Sequence, residues 1–325
     1  MKKKNYEVIK MSKEYLFHYT KAKTFESIIN NQELWFNNIN KTNDPYENKK
    51  FDFYSKTEKK DISGEYIKIS DDEEDAQVWF FRQLNRMKNR IVKTISFCSG
   101  YYNLNPLDEN NRPGYFYPRM WSQYADNSKG VCLIFDKQKL IKELRKVLEK
   151  KYIVFDDIVT YTDIIDKKYS QNIKNLIVSR NKKYFKGRKF DDENEIRKNL
   201  CENIKDYYFT KDNDWSGEKE YRVILINQKK NSNTEVEKCK FNLLDCLECC
   251  ILGENYGLSI TDDDDFEIND NEIQRIRCVC QEKEINLKIL KRDLFRSSYF
   301  LENLYSKPEP EQPAFPLFEG LLADF

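Results

Sequence analysis

The chain has one histidine, His18, among 325 residues, so every mechanism or metal site that needs two imidazoles is excluded at the outset. Glycine (9) and proline (8) are scarce as well. There is no GxxxxGK[ST] and no GxGxxG run, so Walker-type ATP sites and Rossmann dinucleotide sites, which cradle phosphate on glycine backbone, are not expected. Charge of one sign is also lacking: 56 Lys and Arg face 55 Asp and Glu, which rules out a globally basic nucleic-acid surface and leaves only local basic patches. The longest apolar runs, such as 131–135 and 223–226, fall far short of the ~20 residues of a membrane span, so no membrane partner is expected. The N-terminal MKKKNYEVIKMSKEYLF is basic, without an apolar segment or a small-residue cleavage site, and the expectation is a cytoplasmic protein.

Nine cysteines, an odd number, sit mostly in apolar contexts such as Ile95-Ser96-Phe97-Cys98 and Val131-Cys132-Leu133, which reads as reduced, buried thiols. Cys246 and Cys249 make a CxxC, but Cys278 and Cys280 are one residue too close to supply the second half of a zinc knuckle. No metal is expected. What the chain does have is apolar and aromatic mass, 39% and 14%, enough for a sizeable core in one elaborated domain or two intimate ones.

Residues 14–19 are aromatic-rich and end at the turn-forming Thr20-Lys21, which fits a strand. Phe25, Ile28 and Ile29 follow at i, i+3, i+4, predicting a helix over 24–31, and Leu34-Trp35-Phe36 reads as a second strand. Further strands are predicted over 92–98, 131–135, 218–226 and 246–253, with helices over 77–90, 120–125, 138–150, 191–208 and 271–281. The alternation over 285–290 reads as an edge strand. The window 167–190 holds nine Lys or Arg and no Asp or Glu, and reads as a basic helix. The fold class is therefore α+β, a mixed, mostly antiparallel sheet with helical insertions at about 56–90 and 165–210. Residues 1–255 form its core, 256–306 a C-terminal α/β extension of the same fold, and 307–325 a proline-containing tail.

Four segments far apart in the chain mix aromatic rings with polar groups: His18-Tyr19-Thr20, Asn43-Asp44-Pro45-Tyr46-Glu47, Arg119-Met120-Trp121-Ser122-Gln123-Tyr124, and Trp215-Ser216-Gly217-Glu218-Lys219-Glu220-Tyr221-Arg222. Such a mixture suits an aromatic-walled pocket in which a few polar atoms fix the ligand. In this order the segments resemble the bacterial family called domain of unknown function 2971, with its HYT start, NDPYE-like turn, MWxxYAxxxxG segment (Trp121 to Gly130) and WxxExEYR segment. The resemblance spans Leu16 to Gly253, and the family name implies no activity.

A strand ending His-Tyr-Thr and a late Glu-Lys-Glu entering a strand also resemble the ADP-ribosyltransferases of the diphtheria-toxin and DNA-modifying toxin kind. That resemblance implies a split-sheet fold, NAD⁺ as substrate with no metal, and a glycosyltransferase of the ADP-ribosyl (pentosyl) type. It also implies a toxin or anti-phage effector that modifies nucleic acid or protein. It assigns His18 to the nicotinamide ribose, the Tyr19 and Thr20 backbone to the carboxamide, and Glu220, with Glu218 beside it, to stabilising the oxocarbenium ion. For the middle motif Ser96, Tyr101 and Tyr102 are all candidates. Asn43, Asp44, Glu47, Trp121, Tyr124, Trp215 and Arg222 complete the expected NAD⁺ pocket. The chemistry is sound on its own terms, because losing nicotinamide builds positive charge on the ribose and a preorganised carboxylate lowers that barrier.

Each of these residues also has a purely structural reading. His18 can be a hydrogen-bonded core residue, Glu220 an ion-pair partner of Arg222 or Lys219, and Trp121, Tyr124 and Trp215 core aromatics. The Asn43-Asp44-Pro45 turn can be conformational and the 167–190 window a solvated face, unless the latter contacts the phosphates of a nucleic-acid acceptor. Two other functions fit the same residues. One is a hydrolase or nuclease in which Asp44, Glu47, Glu218 and Glu220 act alone or hold Mg²⁺; the other is a non-catalytic ligand-sensing module.

Overall fold

Helix α1 (Ala22–Asn31) shows how local sequence becomes packing: Phe25, Ile28 and Ile29 form the buried stripe that its spacing predicts. Its last turn closes on Gln32 in the left-handed region (φ 51°), whose N–H donates to the Ile28 carbonyl. This computed structural model describes residues 13–42, 59–60, 66–67, 90–101, 113–163, 192–229, 236–260, 266–293 and 298–308. The expectations for Asn43, Asp44 and Glu47, for Tyr102, for nearly all of the 56–90 insertion, for the 167–190 window and for the tail after Pro308 fall outside those residues.

The strands are β1 (Tyr15–Thr20), β2 (Glu33–Asn38), β3 (Lys59–Lys60), β4 (Tyr66–Ile67), β5 (Val92–Gly100), β6 (Val131–Asp136), β7 (Tyr152–Ile158) and β8 (Thr160–Thr162). They continue with β9 (Thr210–Asp212), β10 (Glu220–Asn227), β11 (Val236–Lys240), β12 (Leu247–Leu252), β13 (Leu258–Ile260), β14 (Phe266–Ile268), β15 (Leu287–Asp293) and β16 (Ser298–Tyr305). The remaining helices are α2 (Pro118–Tyr124), α3 (Lys137–Leu148), α4 (Asp192–Glu202), α5 (Ile204–Tyr208) and α6 (Asp270–Glu282). Helix α3 starts where the Asp136 carboxylate accepts the Lys139 N–H at 3.0 Å, and buries Leu140, Leu144 and Leu148 at i, i+4, i+8.

One large, mostly antiparallel sheet runs β11-β2-β5-β1-β6-β12-β15-β16, with β10 and then β7 added at β5, while the pairs β3-β4, β8-β9 and β13-β14 stand apart from it. Strand β5 has three neighbours because its two edges are used differently. One edge pairs with β10 along nearly its whole length, from Cys98↔Glu220 to Val92↔Ile226. The other is shared: β1 takes residues 98–100 and β2 takes 93–94. Between them Ile95, Ser96 and Phe97 have no strand partner on that edge among the described residues. The sheet therefore forks at β5, and a cleft opens where β1 and β2 diverge.

The two faces are covered differently. Helices α1, α3 and α6 pack the face that carries Leu16, Phe36, Phe97, Leu133 and Val223. On the opposite face, one apolar cluster under α4 and α5 holds Val92, Ile224 and Ile226, and a second under α2 holds Phe17, Tyr19, Cys98 and Cys132. Between those two clusters the same face turns polar, at Thr94, Ser96, Glu220 and Arg222.

The structure corrects two expectations. Residues 285–290 do not make an edge strand: β15 lies inside the sheet, parallel to β12 and antiparallel to β16. Alternation reports one covered and one wetter face, whereas edge position depends on what lies alongside. The strand expected from Glu218 begins at Glu220, because 213–218 coil into a 3-10 turn that ends on Lys219 at φ 45°. All nine cysteines are free thiols, most of them buried.

Candidate functional site

The cleft at the fork has a volume of about 370 Å³, within the range of small-molecule sites. Its floor is the open stretch of β5, one wall is the end of β1 and the start of α1, and the other is β2. Residues of both pleat parities along β5, Thr94 through Cys98, line it, so the cleft wraps around the strand edge. This matters for His18 and Glu220. By pairing, His18 shares a face with Phe97 and Glu220 with Cys98, opposite sides of the sheet, yet both line the cleft because the sheet is open between them.

His18 pairs with Leu133 of β6, and its ring sits 5.5 Å, centroid to centroid, from Phe97. Its Nδ1 lies 3.3 Å from the Ser96 carbonyl, on the stretch of β5 edge that has lost its strand neighbour. A carbonyl only accepts, so Nδ1 carries the proton. Burial pushes the imidazole below its ordinary pKa and the Ser96 carbonyl pulls it partly back, so the neutral ring keeps Nε2 as an acceptor.

Four charged side chains converge beside it. Lys211 Nζ, from β9, lies 2.7 Å from Glu218 Oε2 and 3.3 Å from Glu220 Oε2. Arg222 grips Glu220 with two bonds of 2.8 Å, from Nε to Oε1 and from Nη2 to Oε2, and its Nη1 donates to the Tyr208 carbonyl at 2.7 Å. All four are buried, Glu220 being 4% exposed. Two carboxylates meet two cations, so the formal charges cancel, which is how ions survive in an interior. For Glu220, burial is the largest influence and acts upward. Arg222 and Lys211 together, with the Ser96 hydroxyl, outweigh it and hold the carboxyl down at about 2.

Glu218 and Glu220 meet through the turn and not through the strand pleat: left-handed Lys219 swings Glu218 back so that both reach Lys211. The turn is pinned to α2, since Arg119 Nη1 donates to the Asp214 carbonyl at 2.8 Å and Arg119 and Lys211 lie over the Trp215 ring at 5.2 and 4.6 Å. The Tyr124 hydroxyl donates to Glu218 Oε1 at 2.7 Å, and the Tyr161 hydroxyl accepts the Glu220 N–H at 2.8 Å.

The fork thus gathers His18, Tyr19, Thr20, Ser96, Tyr124, Glu218, Glu220 and Arg222 into one lining. It does not gather Trp121 or Trp215. Trp121 is buried under α2, its Nε1 donating to the Tyr115 carbonyl at 2.8 Å, and Tyr19 points its ring there too, edge-on to Trp121 at 5.1 Å. Trp215 lies behind Lys211. Glu220 is an ion-pair partner of Arg222, as its structural reading has it, with Lys211 as the second cation instead of Lys219. Among the described residues, no group of three or more His, Cys, Asp and Glu is placed to hold a metal ion.

Trp35, Lys21 and Lys211 are among the lining residues that were not sequence candidates. Trp35 alternates with the buried Leu34 and Phe36 and is 36% exposed on the cleft side; an aromatic ring on the polar parity of a strand is the signal that marks it. Lys21 follows the HYT segment directly and is marked by that position alone. Lys211 carries no local signal, since its environment is built by segments on either side of it.

Fold and site together define a mixed α+β protein with a charged, ligand-sized cleft at the fork of a mostly antiparallel sheet. Residues 120–223 match the family model described as Protein of unknown function (DUF2971). That stretch takes in most of α2, the 3-10 turn and the start of β10, and so includes Tyr124, Lys211, Glu218, Glu220 and Arg222. No curated protein and no solved structure matches the chain.

Proposed function

We propose that the cleft binds NAD⁺ and transfers its ADP-ribosyl group to an acceptor, a nucleic acid or a protein, in the cytoplasm. The observation that carries this reading is the convergence of His18 and Glu220, 202 positions apart in sequence, on one cleft. The fork at β5 supports this reading, which calls for a sheet split beside the ligand.

In this reading the neutral His18 accepts a hydrogen bond from a ribose hydroxyl through Nε2, and the exposed Trp35 offers a stacking surface for a heteroaromatic ring. The bond between ribose C1′ and the nicotinamide nitrogen breaks, its electron pair leaves with nicotinamide, and positive charge develops on the ribose. Glu220, held ionised by Arg222 and Lys211, supplies the negative potential that this charge meets. Among the described residues Glu218 accepts one hydrogen bond on each oxygen. A carboxylate has about four acceptor positions, so Glu218 keeps lone pairs to take the proton of the attacking nucleophile.

The neutral quartet argues against the Mg²⁺-dependent alternative, because a divalent cation would have to displace Lys211 from between the two carboxylates. The test is nicotinamide release from NAD⁺ by the purified chain in cell extract, which supplies acceptors. Wild type is expected to release nicotinamide, and Glu220→Gln to do so roughly 10²–10³-fold more slowly. A folded wild-type chain that releases none in any extract tried would sink the reading.

A further inference from the structure

The wall of the cleft at the start of α1 has no part in the chemistry at Glu218 and Glu220. Strand β1 leaves β5 after Phe17↔Cys98, and carrying that register forward sets Thr20 level with Ile95 and Lys21 level with Thr94. Thr94 is also where β2 rejoins β5, through Asn37. The N-terminus of α1 therefore opens into the wedge between the diverging strands.

That helix start is electrostatically uncompensated. Lys21 at the N-cap makes no side-chain capping bond, and the first turn holds no acidic residue. Its leading N–H groups have no intrahelical acceptor and carry the positive end of the helix dipole. Lys21, Thr24 and Lys41 line the cleft on this side. Lys21, at the helix N-cap, brings a positive charge to this side of the lining.

An independent observation comes from the floor. Thr94 is 5% exposed and lines the cleft, and its Oγ1 has no hydrogen-bond partner among the described residues. Folded proteins rarely leave a buried hydroxyl unpaired, and an orphan on the floor of a ligand-sized cleft calls for a ligand oxygen.

We propose that this wedge is a diphosphate subsite, in which the first-turn N–H groups of α1, the hydroxyls of Thr24 and Thr94, and the ammonium group of Lys21 hold the phosphate oxygens of a nucleotide ligand. A phosphate supplies several acceptor oxygens with negative charge and can satisfy an uncapped helix start, a hydroxyl and a lysine at once. The subsite rests on the NAD⁺ reading only for the identity of the whole ligand; its own chemistry requires just the phosphates.

The experiment is calorimetric titration of inorganic pyrophosphate and of ADP-ribose into wild type, Thr94→Val and Lys21→Gln, with thermal denaturation of each protein. Thr94→Val removes the orphan hydroxyl and keeps its shape. It is expected to hold or raise the melting temperature while weakening ADP-ribose binding roughly tenfold to a hundredfold. Lys21→Gln is expected to weaken both ligands and to flatten the dependence of affinity on salt. Wild type that binds neither probe, or variants that bind both as wild type does, would overturn the subsite. Binding of ADP-ribose that needs Thr94, by a protein that never releases nicotinamide, would uphold the subsite while removing the transferase reading. Nicotinamide release with an unchanged KM in both variants would do the reverse.

Discussion

Replacing Lys211 by Met tests the electrostatic design of the site most sharply. Among the described residues the Lys211 ammonium is the one group that bridges Glu218 and Glu220, at 2.7 and 3.3 Å, and it is almost wholly buried. Without it, two buried carboxylates face a single guanidinium, and breaking a buried ion pair from one side costs about 3–5 kcal/mol. That is a large part of the ~5–15 kcal/mol by which a domain is stable. The pH dependence should move with it. The Glu220 carboxyl, near 2 in the folded protein against an ordinary 4.5, contributes stability that is fully present above 4.5 and is lost as pH falls toward 2. With one cation gone the depression weakens, so the acid-induced loss should be smaller and complete at higher pH. Urea denaturation of wild type, Lys211→Met and Lys211→Met/Glu218→Gln, at pH 7 and at about pH 3, inside the window of the loss, reads both effects. The double variant restores one carboxylate to one cation and should recover much of the loss. A single variant with the wild-type midpoint, or a double variant no more stable than the single, would refute the balanced-quartet argument.

Tyr124→Phe removes the hydroxyl that donates to Glu218 Oε1 at 2.7 Å, and should lower unfolding stability by about 1.5–3 kcal/mol in urea titration, as for a hydrogen bond to a charged group. Gly130→Ala would set a Cβ 2.2 Å from the Thr20 carbonyl oxygen, backbone that cannot step aside, and should destabilise by about 1–3 kcal/mol or more, read as a fall in melting temperature. Burial holds His18 below its ordinary pKa, so the unfolded chain binds the proton first. Its contribution to stability is therefore complete above about 6.5 and falls as pH drops through the folded value, a slope that His18→Asn should remove from a stability profile between pH 5 and 7.

The elements with strong periodic patterns were legible before any coordinates. Phe25, Ile28 and Ile29, the run 131–135 and the apolar tail of β10 each declare their element by spacing alone. Strands β7 and β11 have no such announcement, because Tyr152–Ile158 carries two aspartates and Val236–Lys240 is mostly charged; both earn their places by pairing, with β10 and with β2. At the site, His18, Glu218, Glu220 and Arg222 were visible as unusual local sequence. Lys211 was not, because a lysine between Thr210 and Asp212 looks like any surface lysine until the turn behind it folds back. Trp121 misled for the opposite reason: its motif neighbours suggest a pocket wall, while its indole N–H is already satisfied by Tyr115 beneath α2. Gly130, prominent in the same motif, is explained by close backbone approach to Thr20.

The central claim is that His18 and the Glu218–Glu220 pair form one NAD⁺ site. Calorimetric titration of NAD⁺ into wild type, His18→Ala and Glu220→Gln, each first verified as folded, tests it directly. Binding by wild type that weakens at least tenfold in His18→Ala and survives in Glu220→Gln, whose nicotinamide release is slowed roughly 10²–10³-fold, is the predicted result. A folded wild-type chain that binds no NAD⁺ at millimolar concentration, or binds it equally well without His18, would contradict the account.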